Sequence, residues 1–115
     1  MPARARSARS APLGGTAPVF DALGDPTRRN IVARLCTHGP TSVTQLSATA
    51  GVTRQAVAKH LKVLEHAGLV LSSRRGRVRI CRLDARQLAR ARRELEEISS
   101  QWDRTLARLK AFVGG

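Results

Sequence analysis

Tyrosine is absent from this chain, and its other aromatics amount to two phenylalanines and one tryptophan. A core without aromatic bulk must be filled by Leu, Val, Ile and Ala, which suits packed helices better than a broad sheet. Acidic residues are scarce too: 8 Asp+Glu stand against 21 Lys+Arg, a formal net charge of +13. The two cysteines, Cys36 and Cys81, are far apart and form no C-x-x-C pair. Their spacing argues against a disulfide framework or a zinc ribbon and fits a reducing compartment, where each reads as a small buried hydrophobe. No apolar run approaches the roughly 18 residues of a membrane span. The basic N-terminus is followed by no apolar segment, so it does not read as a secretory signal, and the expected location is the cytoplasm.

What is present is mostly arginine, whose planar fork matches phosphate oxygens and guanine edges. A charge this one-sided repels itself in a small domain. A polyanionic partner is therefore expected, nucleic acid ahead of a membrane surface. The 115 residues allow one domain with a single core. Residues 1–17, MPARARSARSAPLGGTA, have little apolar bulk and read as a flexible basic tail, either solvated or following a phosphate backbone. Residues 18–113 read as the domain.

Helix punctuation divides that domain. Val19, Phe20 and Leu23 form a short apolar face ending at Gly24. Asp25-Pro26 is a helix start, an Asp N-cap with Pro in the first turn, and Gly39-Pro40 a stop. Ser42-Val43-Thr44-Gln45 matches a capping box, and Gly51 ends the short helix it opens. Thr53 caps a longer helix that Gly68 closes, so the order is short helix, tight turn, long helix: a helix-turn-helix. Two β-rich runs around Gly76 predict a hairpin. Asp84 with Gln87 is another capping pattern, opening a last helix to about Phe112.

On the helix after Thr53, at about 100° per residue, Val57, Leu61 and Leu64 fall on one side and Gln55, Lys59, Lys62 and His66 on the other. Arg54 and Gln55 occupy the first turn, the end of a recognition helix that meets base edges. Arg54, Gln55 and Lys59 are the expected base readers; Thr53 and Lys62 are expected at phosphate. His60 points to the flank of the core stripe and reads as a partly buried histidine with a local hydrogen bond. Five arginines lie between Arg74 and Arg82. Arg74, Arg75 and Arg77, nearest the hairpin tip, are expected on the DNA backbone; Arg79 and Arg82 face solvent or acidic groups of a second copy. In the last helix Leu95, Ile98, Trp102, Leu106 and Leu109 continue a stripe too long for so small a domain to cover. A homodimer is expected, with this stripe and Val19, Phe20 and Leu23 at the interface.

The segments FDALGDPTRRNIVARL, SVTQLSATAGVTRQAVAKHLKVLEHAGLV and RRGRVRICRLD together resemble the winged helix-turn-helix repressors of the ArsR/SmtB family. The resemblance implies a mainly α fold with a small β-hairpin wing, dimeric through its N- and C-terminal helices. It also implies a repressor of a pseudo-palindromic operator in double-stranded DNA, released by a signal. Metal-sensing members often carry C-V-C where this chain has Ser42-Val43-Thr44, and others use Asp and His in closing helices, where this last helix has no histidine. No metal site or cofactor is expected, and an unknown small-molecule inducer remains open. No phosphate loop, paired-carboxylate site or activated nucleophile points to an enzyme. The alternatives are an architectural DNA binder without sequence preference, a thiol-redox repressor using Cys36 and Cys81, and a winged-helix module that binds protein. The last would show an acidic or apolar outer face on the 53–67 helix, and this one is basic.

Overall fold

Each of the longer helices begins where the sequence offers an oxygen to its unpaired backbone N–H groups. In the computed structural model, which describes residues 15–114, the order is α1 (Ala17–Ala22), α2 (Pro26–His38), β1 (Thr41–Ser42), α3 (Val43–Ala50), α4 (Arg54–His66), β2 (Val70–Arg75), β3 (Val78–Leu83) and α5 (Ala85–Gly114). The Asp25 carboxylate accepts from the Arg28 N–H at 3.0 Å at the start of α2. The capping box of α3 is complete: Ser42 Oγ accepts from Gln45 N at 3.1 Å, and Gln45 Oε1 accepts from Ser42 N at 3.2 Å. Thr53 Oγ1 accepts from Ala56 N at 3.0 Å, and Asp84 Oδ1 from Arg86 N at 3.0 Å. These caps fall at the residues the sequence marks.

The core is aliphatic. Val19, Ile31, Leu35, Leu46, Val57, Leu61, Leu64, Leu69 and Val70 come from every element before β3 except the short β1, and Cys81 closes the core from the sheet. Burying each large side chain contributes on the order of 1.5–3 kcal/mol. Gly51, at φ 68° and ψ 25°, makes the left-handed turn that sends α3 into α4. Gly76, at φ 63° and followed by a residue of negative φ, gives the two-residue hairpin loop the sign pattern of a type II′ turn.

Several expectations need correction. The expected β2–β3 hairpin is present, but the sheet has a third strand not foreseen: Thr41 and Ser42 of β1 pair with Cys81 and Ile80, giving the order β1-β3-β2. Val19 is 0% exposed within its own chain, so it belongs to the core and cannot serve a dimer interface. Cys36 is exposed on α2; only Cys81 is buried. Order begins before Pro18: Thr16 is buried, and the Gly15 carbonyl accepts from Gln87 Nε2 at 3.5 Å. The rest of the expected tail, residues 1–14, lies outside the described residues. Gln87 is itself buried and donates to the Ala67 carbonyl at 3.0 Å, tying the foot of α5 to the end of α4. Among the described residues no helix is long and apolar enough to cross a membrane.

The Asp84 side chain is almost wholly buried and meets Arg86 Nη2 at 3.1 Å. That bond holds the Asp84 carboxyl below the usual carboxylate range, against the opposing effect of burial. Its contribution to stability is thus complete above the unfolded value near 3.8 and is lost as pH falls through the lowered folded value. Urea unfolding followed from about pH 5 to about pH 2 should show a loss of stability that is shallower in Asp84→Asn. An identical acid limb in the variant would remove Asp84 from the account.

Candidate nucleic-acid interface

Helix α4 turns Val57, Leu61 and Leu64 fully inward, and this alone orients its other side chains. Arg54, Gln55, Lys59, Lys62 and His66 are exposed, while Ala58 is half-buried beside them. None of those five makes a side-chain hydrogen bond or ion pair among the described residues. Thr53 is exposed at the N-terminus, where its oxygen accepts the Ala56 N–H and its hydroxyl proton stays available to an outside acceptor. The helix dipole adds partial positive charge at that end.

Three attachments fix α4. Ser47 Oγ on α3 donates to the Val52 carbonyl at 2.6 Å and holds the turn. His60 is half-buried with its Nδ1 3.3 Å from Arg28 Nη1 and 3.9 Å from Asp25 Oδ2. Arginine only donates, so the imidazole nitrogen accepts. The hydrogen bond expected for His60 is therefore not local: it reaches back 32 residues to α2. Arg28 Nε in turn donates to the Ala22 carbonyl at 2.7 Å, which brings α1 into the same junction. The Asp25 carboxyl lies below its ordinary range, chiefly through the Arg28 backbone N–H, with the Arg28 charge adding to it against the opposing effect of burial.

Near its other end, Glu65 accepts from Arg79 Nη2 of β3 at 2.7 Å and from Ser72 Oγ of β2. Arg79 was expected toward solvent or an acidic group of a second copy; it has its acid within the same chain. Arg74 lies directly across from Arg79 in the sheet, so the carboxylate also relieves a like-charge cross-strand pair. Arg74, Arg75 and Arg77 at the wing tip, and Arg82 on β3, are exposed and have no partner among the described residues.

The side chains expected at a dimer interface on α5 are exposed as well. Leu88 and Ala91 pack into the core, but beyond them Leu95, Ile98, Trp102, Leu106 and Leu109 stand in solvent, Trp102 at 67%. Phe112, outside the expected set, extends the same apolar stripe. Phe20 and Leu23 of the N-terminal segment are half-buried. The thiol of Cys81 is raised by burial, which disfavours the thiolate, and it lies 3.6 Å from Ser72 Oγ. Among the described residues no three of His, Cys, Asp or Glu come together as a metal site.

Comparison with known proteins follows the same lines. A family model described as a helix-turn-helix domain matches residues 23–72. The HTH-type transcriptional regulator Rv2034 of Mycobacterium tuberculosis is 44% identical over 87 residues, covering 76% of this chain and 78% of that protein. An ArsR-like transcriptional regulator from Rhodococcus sp. RHA1 superposes with a TM-score of 0.69 at 40% identity, covering 84% of this chain and 91% of that one. The homodimeric winged helix-turn-helix DNA-binding domain Mb0332 of Mycobacterium bovis, at 24% identity and a TM-score of 0.60, covers 74% of this chain and 78% of that one, and shares the fold.

Removing the cap of α4 should be felt directly. Thr53→Ala should cost about 1 kcal/mol of unfolding free energy in urea titrations, whereas Thr53→Ser should cost much less. Equal losses in both would mean that packing of the threonine methyl, not the cap, is what matters.

Proposed function

The chain belongs to the ArsR family of helix-turn-helix transcriptional regulators, and from that premise we propose that it is a homodimeric, cytoplasmic repressor. The segment from α1 through α5 makes up its DNA-binding and dimerisation domain. The observation that carries this reading is the outer edge of α4, which has no partner among the described residues, together with wing-tip arginines that likewise have none among them. Arg54 and Gln55, in the first turn, meet base edges in the major groove, and Lys59 reaches the same groove one turn on. Thr53, Lys62, Arg74, Arg75 and Arg77 hold phosphate. The uncovered stripe from Leu95 to Leu109, with Phe20 of α1 and Leu23 just after it, is closed by a second copy. The two-fold axis then sets two recognition helices about one DNA turn apart on a pseudo-palindromic operator.

The decisive experiment is a promoter titration by fluorescence anisotropy at fixed salt, against an unrelated duplex of equal length. The wild type should prefer its promoter at physiological salt; equal affinity for both duplexes would favour the architectural reading. Gln55→Ala should lose about 1–3 kcal/mol of discrimination. The double variant R75A/R77A should weaken both duplexes alike and, with two arginines lost from each protomer of the dimer, lower the slope of log affinity against log salt by about 4. If both variants lose affinity uniformly, the division into base readers and phosphate holders is wrong.

The interface is checked separately. Trp102→Asp should convert the dimer to monomer in sedimentation equilibrium while leaving the helical circular dichroism largely intact. A variant that stays dimeric would remove α5 from the interface.

A further inference from the structure

Four arginines among the described residues are half-buried, and three have partners. Arg28 donates to the Ala22 carbonyl at 2.7 Å, Arg79 to Glu65 at 2.7 Å, and Arg90 to Gln87 Oε1 at 3.1 Å. Arg34, on α2, has no hydrogen bond or ion pair with any described residue. A guanidinium carries five N–H donors and is always charged, so partial withdrawal from water without an acceptor is unfavourable.

Arg34 lines a cleft between α2 and α3. Two adjoining hollows of about 360 and 320 Å³ share Arg34, His38 and Thr49. Asn30 borders the first hollow and Gln45 the second. No Asp or Glu lines either one. The capping box uses Gln45 Oε1, which leaves the amide NH₂ of Gln45 free to donate. Thr49 has already committed its hydroxyl proton to the Gln45 carbonyl at 3.0 Å, so it offers only an oxygen. Ala33 and Ala48 supply apolar wall between the donors. Donors therefore outnumber acceptors in a recess that contains no carboxylate.

The cleft also lies away from the reading edge. Gln45 and Thr49 are each two residues from Ser47, about 200° round the helix. Ser47 faces the turn into α4 through its bond to Val52. The cleft is thus on the flank of α3 opposite to the turn that leads into the recognition helix, which argues for a free small molecule over the DNA proposed to meet α4.

We propose that this cleft binds a small molecule bearing a carboxylate or phosphate group, with Arg34 and His38 on the oxyanion and Gln45 and Asn30 as neutral donors. The inference goes beyond the DNA-binding reading and stands without it, because binding is measured first with no DNA present. Titrate the full ¹⁵N-labelled chain with inorganic phosphate and, separately, with benzoate, using chloride at matched ionic strength as control. The Arg34 Nε–H and the Gln45 and Thr49 amide signals should shift saturably with one or both anions and not with chloride. Phosphate alone would assign a phosphate ligand, and benzoate alone an organic carboxylate. Arg34→Gln, whose amide spectrum away from the cleft should be unchanged, should weaken binding by about tenfold or more. Arg75→Ala should bind as the wild type does. Shifts that do not saturate, or that persist in Arg34→Gln, would overturn the proposal. So would an Arg34 signal that moves only when a DNA duplex is added, which would assign it to backbone phosphate.

Discussion

Carboxylates are the limiting resource of this molecule. With 8 acids for 21 lysines and arginines, most cations must go without a partner, and where the few acids sit shapes everything else. Three of them stand at joints. Asp25 caps α2 and faces His60 of the recognition helix. Glu65 fastens the far end of that helix to both wing strands. Asp84 caps α5 and holds Arg86. Asp21 is exposed on α1, and Glu94, Glu96, Glu97 and Asp103 are all on α5. No acid is left for the outer edge of α4 or the tip of the wing, and that surface remains cationic because nothing in the chain neutralises it. In water such exposed charges cost little; against a polyanion they become the dominant attraction.

The second constraint is area. A helix of 30 residues is about 45 Å long, more than a core of this size covers. Its first turns are locked down by Gln87 and Ala91, and the remainder projects, stretching the molecule to 66 Å along its longest axis. Helices lacking tertiary cover are marginal, and an exposed run of Leu, Ile and Trp is a liability in solution. The proposed dimer resolves both difficulties at once, which is the physical reason for treating α5 as an interface and not as an ornament.

Much of this was legible from local signals. Caps at Asp25, Ser42, Thr53 and Asp84 are written in three or four consecutive residues, and the inner stripe of α4 follows from helical phase alone. What escaped was non-local. Strand β1 is two residues long and exists only because β3 passes beside it. The bond between His60 and Arg28 and the pair between Arg79 and Glu65 join segments whose proximity no short window reveals. Val19 belongs to the core because its short helix folds back onto the domain. Cys36 is a different kind of miss. It is one residue, about 100°, past Leu35, and the phase arithmetic applied to α4 would have turned it out of the core.

The locks on α4 also bear on how it reads DNA. A reading helix that could rock about its axis would have to be ordered on binding, and that ordering would subtract from affinity. Here the N-terminal turn is held by Thr53 and Ser47, the middle by His60 against α2, and the C-terminal turn by Glu65 against the wing. The anchors sit on the inner and flanking faces, so none occupies the edge that carries Gln55 and Lys59. Because Glu65 also holds Ser72 and Arg79, the wing is oriented by the same helix it flanks. The body of the wing and the C-terminal turn of α4 are therefore joined through one carboxylate, which sets the proposed reading edge and the arginine tip on a common support.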